Sequence, residues 1–98
     1  MIEEEIIETC DELIELIMTK LFPSTLDQDY SRVFYMKQLG DLYRFKSELD
    51  FQDEESARLC EHNYSEGMRV GMECLETQDP LLLSIFLNFA VYYYDIKE

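Results

Sequence analysis

An all-α fold of four antiparallel helices is what this sequence predicts, on three observations. Apolar residues recur at helical spacing in four successive stretches. The 98 residues include only 3 Gly and 2 Pro, few for an all-β chain built on tight turns. The connections between stretches are short and polar, which makes consecutive helices antiparallel neighbours. The length suits one small domain, 1–98, with helices at about 2–22, 28–49, 56–76 and 80–96.

In the first segment Ile6, Cys10, Leu13, Ile17 and Leu21 form one helical stripe, widened by Ile7, Ile14 and Met18. Glu3, Glu4 and Glu5 crowd its first turn, where the helix dipole favours acids, and Pro23 stops it. Ser24 to Asp29 reads as a loop, with Asp27 as the cap of the second helix. That helix carries Val33, Phe34, Met36, Leu39, Leu42, Tyr43 and Phe45, and Lys37, Asp41 and Arg44 share one face of it.

An acidic connection, Asp50 to Glu55, leads to the third segment, whose stripe is Ala57, Cys60, Tyr64, Met68, Gly71 and Leu75. Gly67 and Gly71 each cost the helix about 1 kcal/mol relative to Ala, and close approach of a neighbouring helix is the reason to expect. Asp79-Pro80 is a capping acid followed by the preferred first-turn proline. The fourth helix runs on through Leu81 to Tyr94, apolar nearly all round, a pattern that calls for cover on every side.

A chain that is 47% hydrophobic with a net charge of −14 is too apolar for a disordered acidic tail. The charge argues against nucleic acid and against an anionic membrane surface as partners. Cys10, Cys60 and Cys74 are odd in number and lack metal-ligand spacing, which fits a reduced, cytoplasmic setting. Met1-Ile2 runs straight into Glu3, unlike a secretory leader, and no apolar run is long enough to span a bilayer.

Catalytic chemistry finds little support, so no enzyme, cofactor or metal is expected. His62 is the sole histidine and sits on a polar stretch; there is no glycine-rich phosphate loop, nucleophile elbow or calcium loop. Two features stand out. The Lys37, Asp41 and Arg44 face could hold an oxyanion, although a plain salt-bridge ladder with Asp41 serving both neighbours is the simpler account. Asn88 is an amide among apolar neighbours and has to bond something, either another helix or a ligand backbone.

Val33-Phe34-Tyr35-Met36-Lys37-Gln38-Leu39-Gly40-Asp41-Leu42-Tyr43-Arg44-Phe45 resembles the fifth helix of 14-3-3 proteins, VFYLKMKGDYYRY. Asp79-Pro80 followed by Leu87-Asn88-Phe89-Ala90-Val91-Tyr92-Tyr93-Tyr94-Asp95 resembles that family's HP…LNFSVFYYE seventh helix. Tyr64, Met68 and Val70 fit the sixth, and Cys10 through Pro23 resembles the end of the fourth, IC…LL…IP. Essentially all 98 residues align in order, with a small insertion before Val33 and a small deletion between Arg44 and Tyr64.

The resemblance implies antiparallel helices from a cup-shaped homodimer that binds phosphoserine or phosphothreonine segments as a signalling adaptor. Residue by residue it implies Lys37 and Arg44 as phosphate ligands and Asn88 as the holder of the peptide backbone. It places Phe45, Leu87, Val91, Asp41 and Asp95 along the groove. A guanidinium suits a phosphate of about −1.5 to −2 charges, and one amide offers a peptide both a donor and an acceptor.

Departures weaken the expected site. Phe45 stands where the family has a phosphate-binding tyrosine, a loss of about 1.5–3 kcal/mol. Leu39 stands where it has a lysine two positions after the groove lysine. The family's third helix, which supplies further cations, has no counterpart here, nor do its dimer-forming N-terminal helices or its last two. The chain therefore reads as a middle slice with exposed apolar stripes, and self-association is expected. The alternative function is a helical self-assembly element that has lost phosphopeptide binding.

Overall fold

The computed structural model describes residues 2–26 and 29–97, and within them the fold is all-α, four helices without a strand. Helix α1 spans Ile2–Leu16, α2 Tyr30–Leu49, α3 Glu54–Cys74 and α4 Pro80–Tyr92. They form a slab of about 41 × 32 × 19 Å. Helices α2 and α3 make the most extensive contact, with α1 packed on α2 and α4 packed mainly on α3.

The helix ends depart from the sequence expectation for identifiable reasons. α1 gives way at Ile17–Leu21 to a wider π-type turn and then to a 3-10 turn at Phe22–Ser24. Pro23 has no N–H to donate and its ring crowds the carbonyl four residues back, so regular α geometry cannot persist there. The Asp27 cap and the start of the second helix at 28 lie outside the described residues. α2 begins at Tyr30, after Asp29 in extended conformation.

Helix α3 starts at Glu54 rather than Ser56, because Asp53 is its cap. The Asp53 carboxylate accepts from the Ser56 backbone N–H at 3.0 Å and from the Ser56 hydroxyl at 2.6 Å. Glu54 and Glu55 then sit in the first turn, where the helix dipole favours them. The same helix ends at Cys74, not Glu76, since Leu75 is already extended. Asp79 caps α4 as expected, accepting from the Leu81 N–H at 2.8 Å. Beyond Tyr92 the chain closes in a second π-type turn, Tyr93–Lys97.

The core runs through the slab from Ile14 and Ile17 to Val33, Met36 and Leu39, then Cys60, Tyr64 and Val70, and on to Leu81, Ile85 and Tyr92. The α2–α3 contact is tight at Gly40, where a Cβ would lie 2.5 Å from the Tyr64 ring. Gly71 is also tight, at 3.0 Å from Leu82, whereas Gly67 has ordinary contact distances of 3.4 Å. The close approach expected at Gly67 and Gly71 is found at Gly71 and not at Gly67, and the tight position at Gly40 was missed. Lys46 adds a pin between helices, reaching Asp11 of α1 at 2.6 Å.

The cover on every side that the α4 pattern calls for is not supplied, and its apolar surface is exposed as the sequence reading expects. Leu81, Leu82, Ile85 and Tyr92 are buried, but Leu83, Phe86, Leu87, Val91 and Tyr94 are exposed. Among the described residues its main helical neighbours are α2 and α3, and two neighbours cover one side. Cys10 and Cys60 are buried, and burial pushes both thiols upward, most strongly Cys60, so they pack as small apolar groups. Among the described residues no helix is long and apolar enough to cross a membrane, and no group of three or more His, Cys, Asp or Glu is placed to hold a metal ion.

Candidate functional site

Helical periodicity puts Lys37, Asp41, Arg44 and Glu48 on one face of α2. Because Gly40 carries no side chain, α3 comes close enough for Tyr64 to lie across that face. α4 then brings Asn88 in from the other side, so three helices meet at the Asp41 carboxylate.

One oxygen of Asp41 accepts a short hydrogen bond from the Tyr64 hydroxyl and a second, at 2.9 Å, from Nδ2 of Asn88. The other oxygen pairs with Nζ of Lys37 at 2.8 Å. Arg44 does not join Asp41 directly. Its Nε donates to the Tyr64 hydroxyl oxygen at 3.2 Å, and its Nη1 donates to Glu48 at 3.0 Å. The salt-bridge ladder with Asp41 serving both neighbours is thus corrected: Asp41 pairs with Lys37, and Arg44 pairs with Glu48.

Guanidinium 44 and amide 88 therefore converge on one Tyr64–Asp41 pair rather than pointing to opposite sides. Asn88 bonds another helix through its Nδ2 group, and its carbonyl oxygen still has acceptor capacity for a further donor. Burial on its own would lower the Arg44 pKa, but the Tyr64 hydrogen bond and the Glu48 and Asp41 carboxylates outweigh it and raise it. Arg44 stays cationic. Burial and then the Asp41 hydrogen bond push the Tyr64 phenol far above its ordinary value, so it stays neutral and keeps its proton toward Asp41. Two cations and two carboxylates cancel, leaving the cluster without net charge.

Of the other sequence-predicted site residues, Phe45 lies under the Arg44 guanidinium, 4.9 Å from ring centroid to Cζ. Phe45 also lines an apolar cavity of about 460 Å³ with Ile2, Ile6, Leu13 and Leu42. Leu87 and Val91 flank Asn88 on α4 and are exposed, Leu87 at 67%. Asp95 is exposed in the wide terminal turn and takes no part in the cluster's hydrogen bonds. Tyr64 and Glu48 were missed as members. Both had a signal: Tyr64 lies on the apolar stripe of α3 as a polar-tipped residue, and Glu48 lies four residues beyond Arg44.

Two further cavities lie elsewhere. One of about 350 Å³ is lined by Phe51, Asp53, Glu61 and Tyr92, the other, of about 410 Å³, by Met18, Met36, Leu59 and His62. Neither they nor the cavity at Phe45 includes Lys37, Arg44 or Asn88.

A family model described as 14-3-3 protein matches residues 1–98, the whole length of this chain. The chain belongs to the 14-3-3 family. It is 38% identical over 99 residues to a 14-3-3 protein of Eimeria tenella, an alignment covering 97% of this chain and 35% of that protein. It is 31% identical to 14-3-3 protein I of Plasmodium falciparum, across 97% of this chain and 37% of that protein. Human 14-3-3 protein beta/alpha is 32% identical, with 97% and 39% covered. The chain thus spans between about a third and two-fifths of these 14-3-3 relatives.

Proposed function

We propose that this chain is a non-enzymatic phosphoserine- or phosphothreonine-peptide-binding adaptor of the 14-3-3 type, acting in the cytoplasm on phosphorylated partner proteins. The convergence of Arg44 and Asn88 on the Tyr64–Asp41 pair is the observation that carries this. A phosphate needs a fixed guanidinium, and an extended peptide needs a fixed amide beside it. Here both are held by bonds that cross three helices. In this proposal Arg44 and Lys37 bind phosphate, Asn88 takes a backbone N–H through its carbonyl, and Leu87 and Val91 give the peptide an apolar edge. Phe45 supports the guanidinium by its ring face but offers no hydroxyl, so the phosphate has one donor fewer than the resemblance implies. Asp95 would bound the far end of the peptide.

A second proposal, a self-assembly element without phosphate binding, is favoured by one specific observation. Lys37 and Arg44 are each already paired with a carboxylate, while large apolar side chains on α1 and α4 are exposed. Calorimetric titration separates the two. A phosphoserine peptide that binds measurably while its unphosphorylated twin does not, with binding lost in Arg44→Ala, supports the adaptor. Equal binding of both peptides, or of neither, supports the assembly element.

A further inference from the structure

We propose that Glu48 is an internal competitor for Arg44, which sets how much negative charge a ligand needs before it can occupy the site. This rests on the phosphate-binding role just proposed and concerns its specificity. The two carboxylates of the cluster differ in kind. Asp41 is held by Lys37, Tyr64 and Asn88 at once, its side chain is 12% exposed, and removing it would unpair groups on three helices. Glu48 has one bonded partner in the cluster, Arg44, and its side chain is 34% exposed. It can swing into water while Arg44, 13% exposed and pinned by Tyr64 through Nε, stays in place.

An incoming anion meets a guanidinium whose Nη1 is already occupied by a carboxylate on the same helix. A ligand carboxylate offers one charge in exchange for one charge. A phosphate brings about −1.5 to −2 charges and three acceptor oxygens, so it gains contacts that Glu48 does not supply. The internal pair raises the apparent dissociation constant of every anion, and weakly charged ligands fall below useful occupancy. Partly exposed ion pairs of this kind correspond to about a two- to five-fold effect on an equilibrium.

The test is calorimetric titration of the full chain with a phosphoserine peptide and its unphosphorylated twin. The variants are Glu48→Gln, Arg44→Ala, the double variant, and Glu12→Gln. Glu12 is exposed on α1, so its replacement changes net charge by the same amount away from the cluster. The expected result is that Glu48→Gln tightens phosphopeptide binding about two- to five-fold, with a clearly smaller effect from Glu12→Gln. No gain is expected for the unphosphorylated peptide or on the Arg44→Ala background. Far-UV circular dichroism establishes that each variant is folded. Unchanged or weakened binding in Glu48→Gln, beside a phosphate-selective parent, overturns the competitor role alone and makes Glu48 a positioning residue for Arg44. Absence of phosphate selectivity in both parent and Glu48→Gln overturns the competitor role together with phosphate recognition.

Discussion

Replacing Gly40 by alanine sets two effects of opposite sign against each other. In an exposed helix interior the change would stabilise by about 1 kcal/mol, because alanine restricts the unfolded backbone and favours the helix. At position 40 the new Cβ would lie 2.5 Å from Cδ1 and Cε1 of Tyr64 and 3.0 Å from Cγ. That ring is fully buried. Its hydroxyl is tethered to Asp41 and Arg44, so it cannot slide aside without stretching both bonds. Overpacking costs about 1–3 kcal/mol, and a hydrogen bond to a charged group about 1.5–3 kcal/mol. The net expectation is destabilisation by about 1.5–5 kcal/mol, each kcal/mol lowering Tm by roughly 4–8 °C for a domain of this size. Urea denaturation followed at 222 nm measures it. Gly67→Ala is the matched control, since its Cβ would meet Ile85 and Met36 at 3.4 Å, an ordinary contact, and should be neutral or mildly stabilising. A Gly40→Ala variant as stable as its parent would refute the close-approach account and remove the reason why Tyr64 reaches Asp41.

Further outcomes follow from the same contacts. Tyr64→Phe removes the hydroxyl that links Arg44 to Asp41 and should cost about 1.5–3 kcal/mol in denaturant unfolding; a loss under about 0.5 kcal/mol would show that the link carries no weight. Asp53→Ala removes the α3 cap and should cost about 0.5–2 kcal/mol at neutral pH. The Ser56 hydrogen bond holds the Asp53 carboxyl below its ordinary value, so its contribution is full above about pH 3.9 and is lost as pH falls through the depressed folded value. The gap between parent and variant should therefore close on acidification, and a gap that widens contradicts the cap. Sedimentation equilibrium should show concentration-dependent self-association weakened by Leu87→Lys, because Leu87 and its exposed neighbours on α4 present an apolar face. A monomer at every concentration would remove self-assembly from consideration.

Most of the helices were legible because their stripes and caps are local. Asp79-Pro80 and the Ile6, Cys10 and Leu13 spacing need no knowledge of distant partners. Boundaries were less legible where two local signals compete. The acids of 50–55 look like a loop by composition, yet Asp53 caps and Glu54 and Glu55 favour a helix start. The widened turn before Pro23 depends on how the helix accommodates a missing donor, which spacing does not encode.

In the candidate site, the shared face of Lys37, Asp41 and Arg44 was readable from periodicity, but their pairing was not. Choosing between Asp41 and Glu48 for Arg44 depends on Tyr64, which arrives from a helix 20 residues away in sequence. Asn88 was recognisable as an amide in need of a partner; the partner is Asp41, 47 residues distant. Gly40 escaped notice because a lone glycine within a helix does not say whether its gap is filled, and here an aromatic ring fills it. Resemblance supplied the roles; packing supplied the geometry that makes them physically coherent.

Side-chain NMR of this chain during addition of a phosphoserine peptide would report on the Arg44 Nε–H and the Asn88 amide together. Both signals should move and saturate with one dissociation constant, and neither should respond to the unphosphorylated peptide. If the phosphopeptide binds and both signals stay still, recognition occurs elsewhere and the convergence at Asp41 is scaffolding alone.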